Sequence, residues 1–271
     1  MGISRQAHYQ WQCRRAEDEA KFERVVDLVK EKRLRQPRLG ARKLHYLIRP
    51  TLAAEGLSLG RDALFDLLRW NRLLVQPRRA YHKTTTSHHR FRRHPNLLKA
   101  GPEQVRAEAS EQVWVADITY LPTRGRCAYL SLVTDAYSRK IVGYHVHDSL
   151  HTAEVSQALK MALRGRQGSR RLVHHSDRGI QYCAHEYQAI HQKHGLICSM
   201  TDGYDCYQNA LAERVNGILK QEFLLHLPED MGEAQRMVRE SVAIYNRERP
   251  HSSLQLKTPD EVHRASLHAG Y

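Results

Sequence analysis

No apolar run in the sequence approaches the roughly eighteen residues of a membrane span, and the N-terminus, MGISRQAHYQWQCRR, has no apolar signal core. Neither bilayer insertion nor export by a leader is expected; a cytoplasmic protein is. The five cysteines, Cys13, Cys127, Cys183, Cys198 and Cys206, are odd in number and none falls in a CxxC pair. That pattern argues for reduced thiols and against a disulfide framework. It also argues against zinc: His185, His191 and His194 lie near Cys183 and Cys198 without paired ligand spacing. Internal repeats and low-complexity tracts are absent. Acidic residues are scarce in one part of the chain only. Residues 1–101 hold 23 Lys/Arg against 9 Asp/Glu, whereas 102–271 hold 20 of each, so the whole net charge of +14 lies in the first part. A localised basic excess is the footprint of a polyanion binder, because neutralising phosphates releases counterions.

What is present is enough apolar residue, 41% of 271, for one or two packed domains. Residues 1–36 read as a charged helix with Val25, Leu28 and Val29 as a narrow apolar stripe, stopped by Pro37. Two further helices are expected at about 40–54 and 60–70, joined by a turn at Glu55-Gly56-Leu57-Ser58. Leu44, Leu47 and Ile48 would pack against Leu64, Leu67 and Leu68, and Pro50 should kink or split the first of the pair. Two short helices about a glycine turn fit a helix-turn-helix or an ordinary helical hairpin; the basic excess favours the former, with Arg61 and Arg69 as DNA contacts. This gives a basic helical DNA-binding region at 1–76 and a linker at 77–108. Within the linker, 77–101 is basic, aromatic and aperiodic. It is either a tether or a strap along a DNA groove, with Arg78, Arg79, Arg92 and Arg93 on phosphates and Tyr81 or Phe91 on sugars or bases.

From 111 the texture becomes α/β. Strands are expected at 112–121, 127–136 and 140–147, then a helix at 151–166 capped by Thr152. A strand at 171–177, a helix at 184–195 closed by Gly195, a strand at 196–201 and helices at 209–226 and 232–248 follow. Three hairpin-type strands followed by βα alternation make a mixed five-stranded sheet flanked by helices, a ribonuclease-H-like arrangement over 109–271.

Asp117 interrupts the first strand, whose two faces are both largely apolar, so that strand should be central. A lone buried carboxylate needs a cationic partner. Asp177 ends the fourth strand, next to a loop, where α/β folds place ligands. Glu213 lies on the helix at 209–226, on a stripe with Asn209, Asn216 and Lys220 that runs opposite the apolar stripe of Leu211, Val215 and Ile218. Three carboxylates so distributed can hold two Mg²⁺ (or Mn²⁺) ions, hard cations that suit oxygen ligands.

The spacing Asp117, 59 residues, Asp177, 35 residues, Glu213 resembles the D,D-35-E signature of transposases and retroviral integrases. With WVADITYLP, LVTDAYSRKIVGYHV, HHSDRGIQY, NALAERVNGILKQEF and YNRERPHSSLQLKTPDEV, the chain resembles the OrfB product of the IS-three family of bacterial insertion sequences over about residues 37–262. The resemblance implies a transposase that cleaves at element ends and transfers a 3′-hydroxyl to another strand. Its partners would be terminal inverted repeats and target DNA, a second copy of itself on DNA, and the upstream OrfA product or a fusion to it. The location implied is the bacterial cytoplasm, on the nucleoid. Lys220 matches the basic residue that contacts end DNA; Asn209 and Asn216 are taken as further DNA contacts. Gln208 departs from the family, which often has an acid there. An inactive repressor that binds element ends and a nuclease that hydrolyses without joining are the rival readings.

Other residues read as structural. Asp135 in DAYSR favours a turn role. Glu222 sits near the apolar face of its helix, where a basic neighbour can pair with it. His174 and His175 either touch substrate or pack, and Arg247–His251 is either a DNA-contacting tail or an interhelical turn.

Overall fold

The computed structural model describes residues 5–76, 94–125, 127–202 and 209–269, with side chains from 18 onward. The chain divides into two compact units, Met1–Arg79 and Ala80–Tyr271. Arg78, Arg79, Tyr81, Phe91, Arg92, Arg93 and Gln208 lie outside the described residues, so the strap-or-tether reading of 77–93 does as well.

The first unit is three helices: α1 (Arg5–Arg35), α2 (Ala41–Ala54) and α3 (Arg61–Trp70). Its core joins Val25, Leu28 and Val29 of α1 to Leu44, Ile48 and Leu52 of α2 and Leu64 and Leu68 of α3; Leu47 and Leu67 pack at its edge. Pro50 does not split the helix, since α2 runs through it. The stripe Leu44, Ile48, Leu52 is completely buried on one side of α2. The carbonyl that the proline cannot bond, four residues back, belongs to Tyr46, which is 44% exposed and open to water.

In the second unit a five-stranded sheet has the order β3-β2-β1-β4-β5. The strands are β1 (Val113–Pro122), β2 (Cys127–Asp135), β3 (Ile141–His147), β4 (Val173–Ser176) and β5 (Ile197–Met200). β1 is antiparallel to β2 and parallel to β4, which places it at the centre. The helices are α4 (Thr152–Gly165), α5 (Ile180–Cys183), α6 (His185–His194), α7 (Ala210–Ile218), α8 (Met231–Arg247) and α9 (Pro259–His268). Period-two alternation sorts the sheet's two faces. Trp114, Ala116 and Val133 pack with α4 and α6 residues such as Leu159 and Tyr187, while Leu130, Leu132 and Ile141 pack with Val215, Val238 and Val242 of α7 and α8. Gly143 lets β3 approach α4, because a Cβ there would stand 2.1 Å from the carbonyl oxygen of Ala158.

Three local expectations change. Thr152 is the first helical residue of α4 and not its cap; His151 holds the cap position without a side-chain bond. Gly195 closes α6 in the left-handed region at φ 64°, as read from sequence. The helix expected over 209–226 is shorter and changes pitch: α7 ends at Ile218 and a π-turn, Leu219–Phe223, follows. A wider turn at that point carries both Leu219 and Phe223 into the core while Lys220 and Glu222 stay at its edge. α9 was not anticipated, although Thr258-Pro259-Asp260-Glu261 spells a capping box with proline at the first turn. Its His263 sits between two buried acids, with Asp135 3.8 Å from Nδ1 and Glu111 3.6 Å from Nε2, and Ser138 Oγ lies 3.0 Å from Nδ1.

Candidate active site

Asp117 stands in β1 on the face shared with Val113 and Val115, which are buried against Ala212 of α7. Asp177 follows β4 immediately. β4 pairs with β1 in the register Val115↔His175, so two steps on along each strand bring Asp117 and Asp177 to neighbouring strands at the same level. Asp177 is held by its own turn: the Gly179 N–H donates to its Oδ1 at 2.9 Å, and a Cβ on Gly179 would stand 3.0 Å from that oxygen. Glu213 is exposed in the first turn of α7, opposite β1.

Electrostatics brings the three together. Burial, then the Asp177 charge, pushes the Asp117 carboxyl up to about 7; the Glu213 charge adds to this and a hydrogen bond from Asn216 opposes it. Burial pulls the Lys220 ammonium below its usual value, against the attraction of Asp117. Lys220 is thus a cation within electrostatic reach of Asp117. Tyr182, buried beside it, is held well above its usual range by burial, then by Tyr187, Asp177 and Asp117. It lies within a quoted motif but was not singled out from sequence; its position five residues after Asp177 was the available signal. Among the described residues no three Asp, Glu, His or Cys side chains are gathered tightly enough to enclose an ion. Like charges repel, which opposes closer approach of the three. An open groove of about 340 Å³ runs along α7 past Glu213, Arg214 and Gly217, but takes in neither Asp117 nor Asp177.

The stripe of Asn209, Glu213, Asn216 and Lys220 was expected opposite the helix's buried face. The structure corrects that: α7 is covered on both sides, and Asn209 and Asn216 are each 5% exposed. Asn209 Nδ2 donates to the Ala116 carbonyl at 3.1 Å and Asn216 Nδ2 to Asp117 Oδ2 at 2.7 Å. Both had been expected to touch DNA, and the donor group of each is instead engaged with β1. Arg61 and Arg69 lie exposed on α3, bonded to Asp62 and Asp66, with Arg69 over the Phe65 ring.

The remaining candidates are structural. Asp135 is fully buried and accepts from the N–H groups of Glu111 and Ser138 and from the Ser138 hydroxyl. Arg249 is 1% exposed and forms two bonds to Glu222, at 2.7 and 2.6 Å, so the 247–251 segment turns inward at this residue. His174 packs among Tyr182, Tyr187 and His191, and burial keeps it neutral; burial also lowers His191 to about 4. His175 meets Ser199 Oγ at 2.8 Å. Among the described residues no helix is long and apolar enough to cross a membrane.

Two families, both described as an integrase core domain, match residues 107–206 and 194–259. The chain is 37% identical over 257 residues to the 31 kDa protein of insertion element IS600 of Shigella sonnei, covering 93% of this chain and 92% of that one. It is 33% identical over 171 residues to transposase InsF for insertion sequence IS3A of Escherichia coli K12, covering 63% and 58% respectively. Over 118 residues it is 39% identical to the transposase for insertion sequence element IS629 of Shigella sonnei, covering 44% and 40%. A solved chain of the simian T-cell lymphotropic virus intasome, in complex with the PP2A regulatory subunit B56 gamma, is 18% identical with a TM-score of 0.51, covering 83% of this chain and 74% of that one. At that identity the likeness is one of fold, the ribonuclease-H-like fold read from the strand order.

Proposed function

Because the chain belongs to the integrase-core transposases of bacterial insertion sequences, the IS-three family, we propose that Asp117, Asp177 and Glu213 are its catalytic carboxylates and would hold two Mg²⁺ or Mn²⁺ ions. The protein is a DNA-transposing enzyme, and the reading as an inactive repressor is not favoured. The observation that carries the site assignment is Asp117: a half-buried carboxyl on the central strand, pushed to about 7 by loss of solvent and by two neighbouring acids. Such a group is costly to ionise without a cation, and the donor set is all hard oxygen. The residues therefore fit divalent ions. Bound there, such ions would supply charge neutralisation at phosphorus and an activated water or 3′-hydroxyl.

The chain's own residues divide the remaining work. Lys220, which feels the Asp117 charge, would meet a DNA phosphate and hold the end in register. The α7–β1 clasp keeps Glu213 over the strand that carries Asp117. Burial against both cores fixes β1, so Asp117 gives the other two carboxylates a rigid point to close upon. In the transfer step a 3′-hydroxyl oxygen bonds to phosphorus as the target strand's P–O bond breaks. The basic first region, with Arg61 and Arg69 on α3, recognises terminal inverted repeats, and two copies of the chain bring two ends together. The test is incubation of the protein, alone and fused to its upstream partner, with labelled duplex carrying the flanking inverted repeats and Mg²⁺. Strands covalently joined at the element end support the reading. Cut but unjoined strands would make it a nuclease of the same fold.

A further inference from the structure

Two asparagines flank Glu213 on one stripe, four residues before it and three after, and both are buried. Each gives its amide N–H to an oxygen of β1, the Ala116 carbonyl in one case and Asp117 Oδ2 in the other. The carbonyl fixes the orientation of Asn209, because turning that amide over would set oxygen against oxygen, and Asp117 does the same for Asn216 whenever it is ionised, as an ion ligand is. The other end of each amide, Oδ1, is buried with no hydrogen-bond partner. Buried acceptors without partners are uncommon, and two on one stripe beside a reactive carboxylate mark places where a donor belongs. Asn209 adds a second sign. It occupies the N-cap position of α7, where asparagine ordinarily caps, yet its side chain makes no capping bond. The side chain is diverted to the strand that carries Asp117.

Resting on the reading of Asp117 as an ion ligand, we infer that Asn216 is a positioning residue for the ion site. Its N–H holds Asp117 Oδ2 and so sets the rotation of that carboxylate. Its own Oδ1, buried without a partner, would accept from a water held at the site. Asn209 grips the backbone one residue earlier, and together the two set the depth of α7 against β1, hence the reach of Glu213. Groups that orient ligands in this way change metal affinity about ten- to a hundredfold when removed.

The experiment measures Mn²⁺ binding to the full chain from the paramagnetic resonance signal of the free ion, with folding followed by thermal melting. Asn216→Leu keeps the volume and removes both hydrogen bonds; it is expected to weaken Mn²⁺ binding about tenfold or more. Asn216→Ser, smaller and unable to span the same distance, is expected to do likewise, and it carries the test if the leucine variant does not fold. In an Asp117→Asn background Asn216→Leu should add nothing, because the residue acts through Asp117. A folded Asn216 variant that binds Mn²⁺ as the wild type does, while Asp117→Asn loses it, overturns this inference alone. Unchanged binding in Asp117→Asn itself overturns the ligand reading beneath it.

Discussion

Asp117 carries the clearest physical contradiction in the chain. An acid whose folded pKa is raised, from 3.8 to about 7, favours its protonated form in the folded protein. Its penalty is therefore absent below the unfolded value and grows as pH rises, reaching its limit once pH passes the folded value. Three units correspond to at most about 4 kcal/mol. Ion-free protein should thus lose stability between about pH 4 and 7, and Asp117→Asn should melt at a higher temperature than wild type at pH 8 while the two converge at pH 4. Equal melting temperatures at pH 8 would show that the carboxyl is not under strain. A stabilising substitution that abolishes activity is what a site built for a cation should show. The position of Asp117 was legible in the sequence, since an acid in the middle of an apolar strand stands out. The company it keeps was not: that Asn216 turns its amide to Asp117, and that Tyr182 lies beside the pair, depends on how α7 and α5 dock. Helical period alone put Asn209 and Asn216 on an outer face with Glu213, when only Glu213 is exposed there and both asparagines are buried against β1.

At the scale of elements, the strand order followed from alternation and from turn residues, and Gly195 announced the end of α6. What escaped was set by packing or by local chemistry overlooked. The π-turn after α7 left no trace in the residue pattern, since Leu219 and Phe223, both buried, are four apart and would share one face of an ordinary α-helix as well. Pro50 does not split α2 because the buried stripe of that helix outweighs one missing hydrogen bond. The π-turn is anchored by the pair of Glu222 and Arg249, the latter nearly sealed from solvent and lying over the Tyr245 ring. Removing one member of such a pair leaves the other without its partner. Arg249→Met should lower unfolding stability in urea by about 2–4 kcal/mol, discounted because the Glu222 side chain is 23% exposed. Adding Glu222→Gln should recover part of that loss. A loss below about 0.5 kcal/mol would reduce the pair to a surface contact.

For the molecule as a whole, the charge division between the first 101 residues and the remainder is the feature that links sequence to partner most directly. If the first region binds DNA through its cations, affinity should fall steeply with salt. Replacing Arg61 and Arg69 together by Gln should weaken DNA binding and flatten the plot of log affinity against log salt by up to about 2, less whatever Asp62 and Asp66 already neutralise. An unchanged slope would move recognition elsewhere in the chain.

The central claim is that Asp117, Asp177 and Glu213 close around divalent ions when DNA is present. Anomalous scattering from Mn²⁺ in crystals of the protein bound to an element-end duplex measures this without reference to turnover. Two peaks about 4 Å apart, bounded by oxygens of all three residues, are the result expected. Peaks that leave out any of the three, or Mn²⁺ bound only elsewhere on the chain, would contradict it.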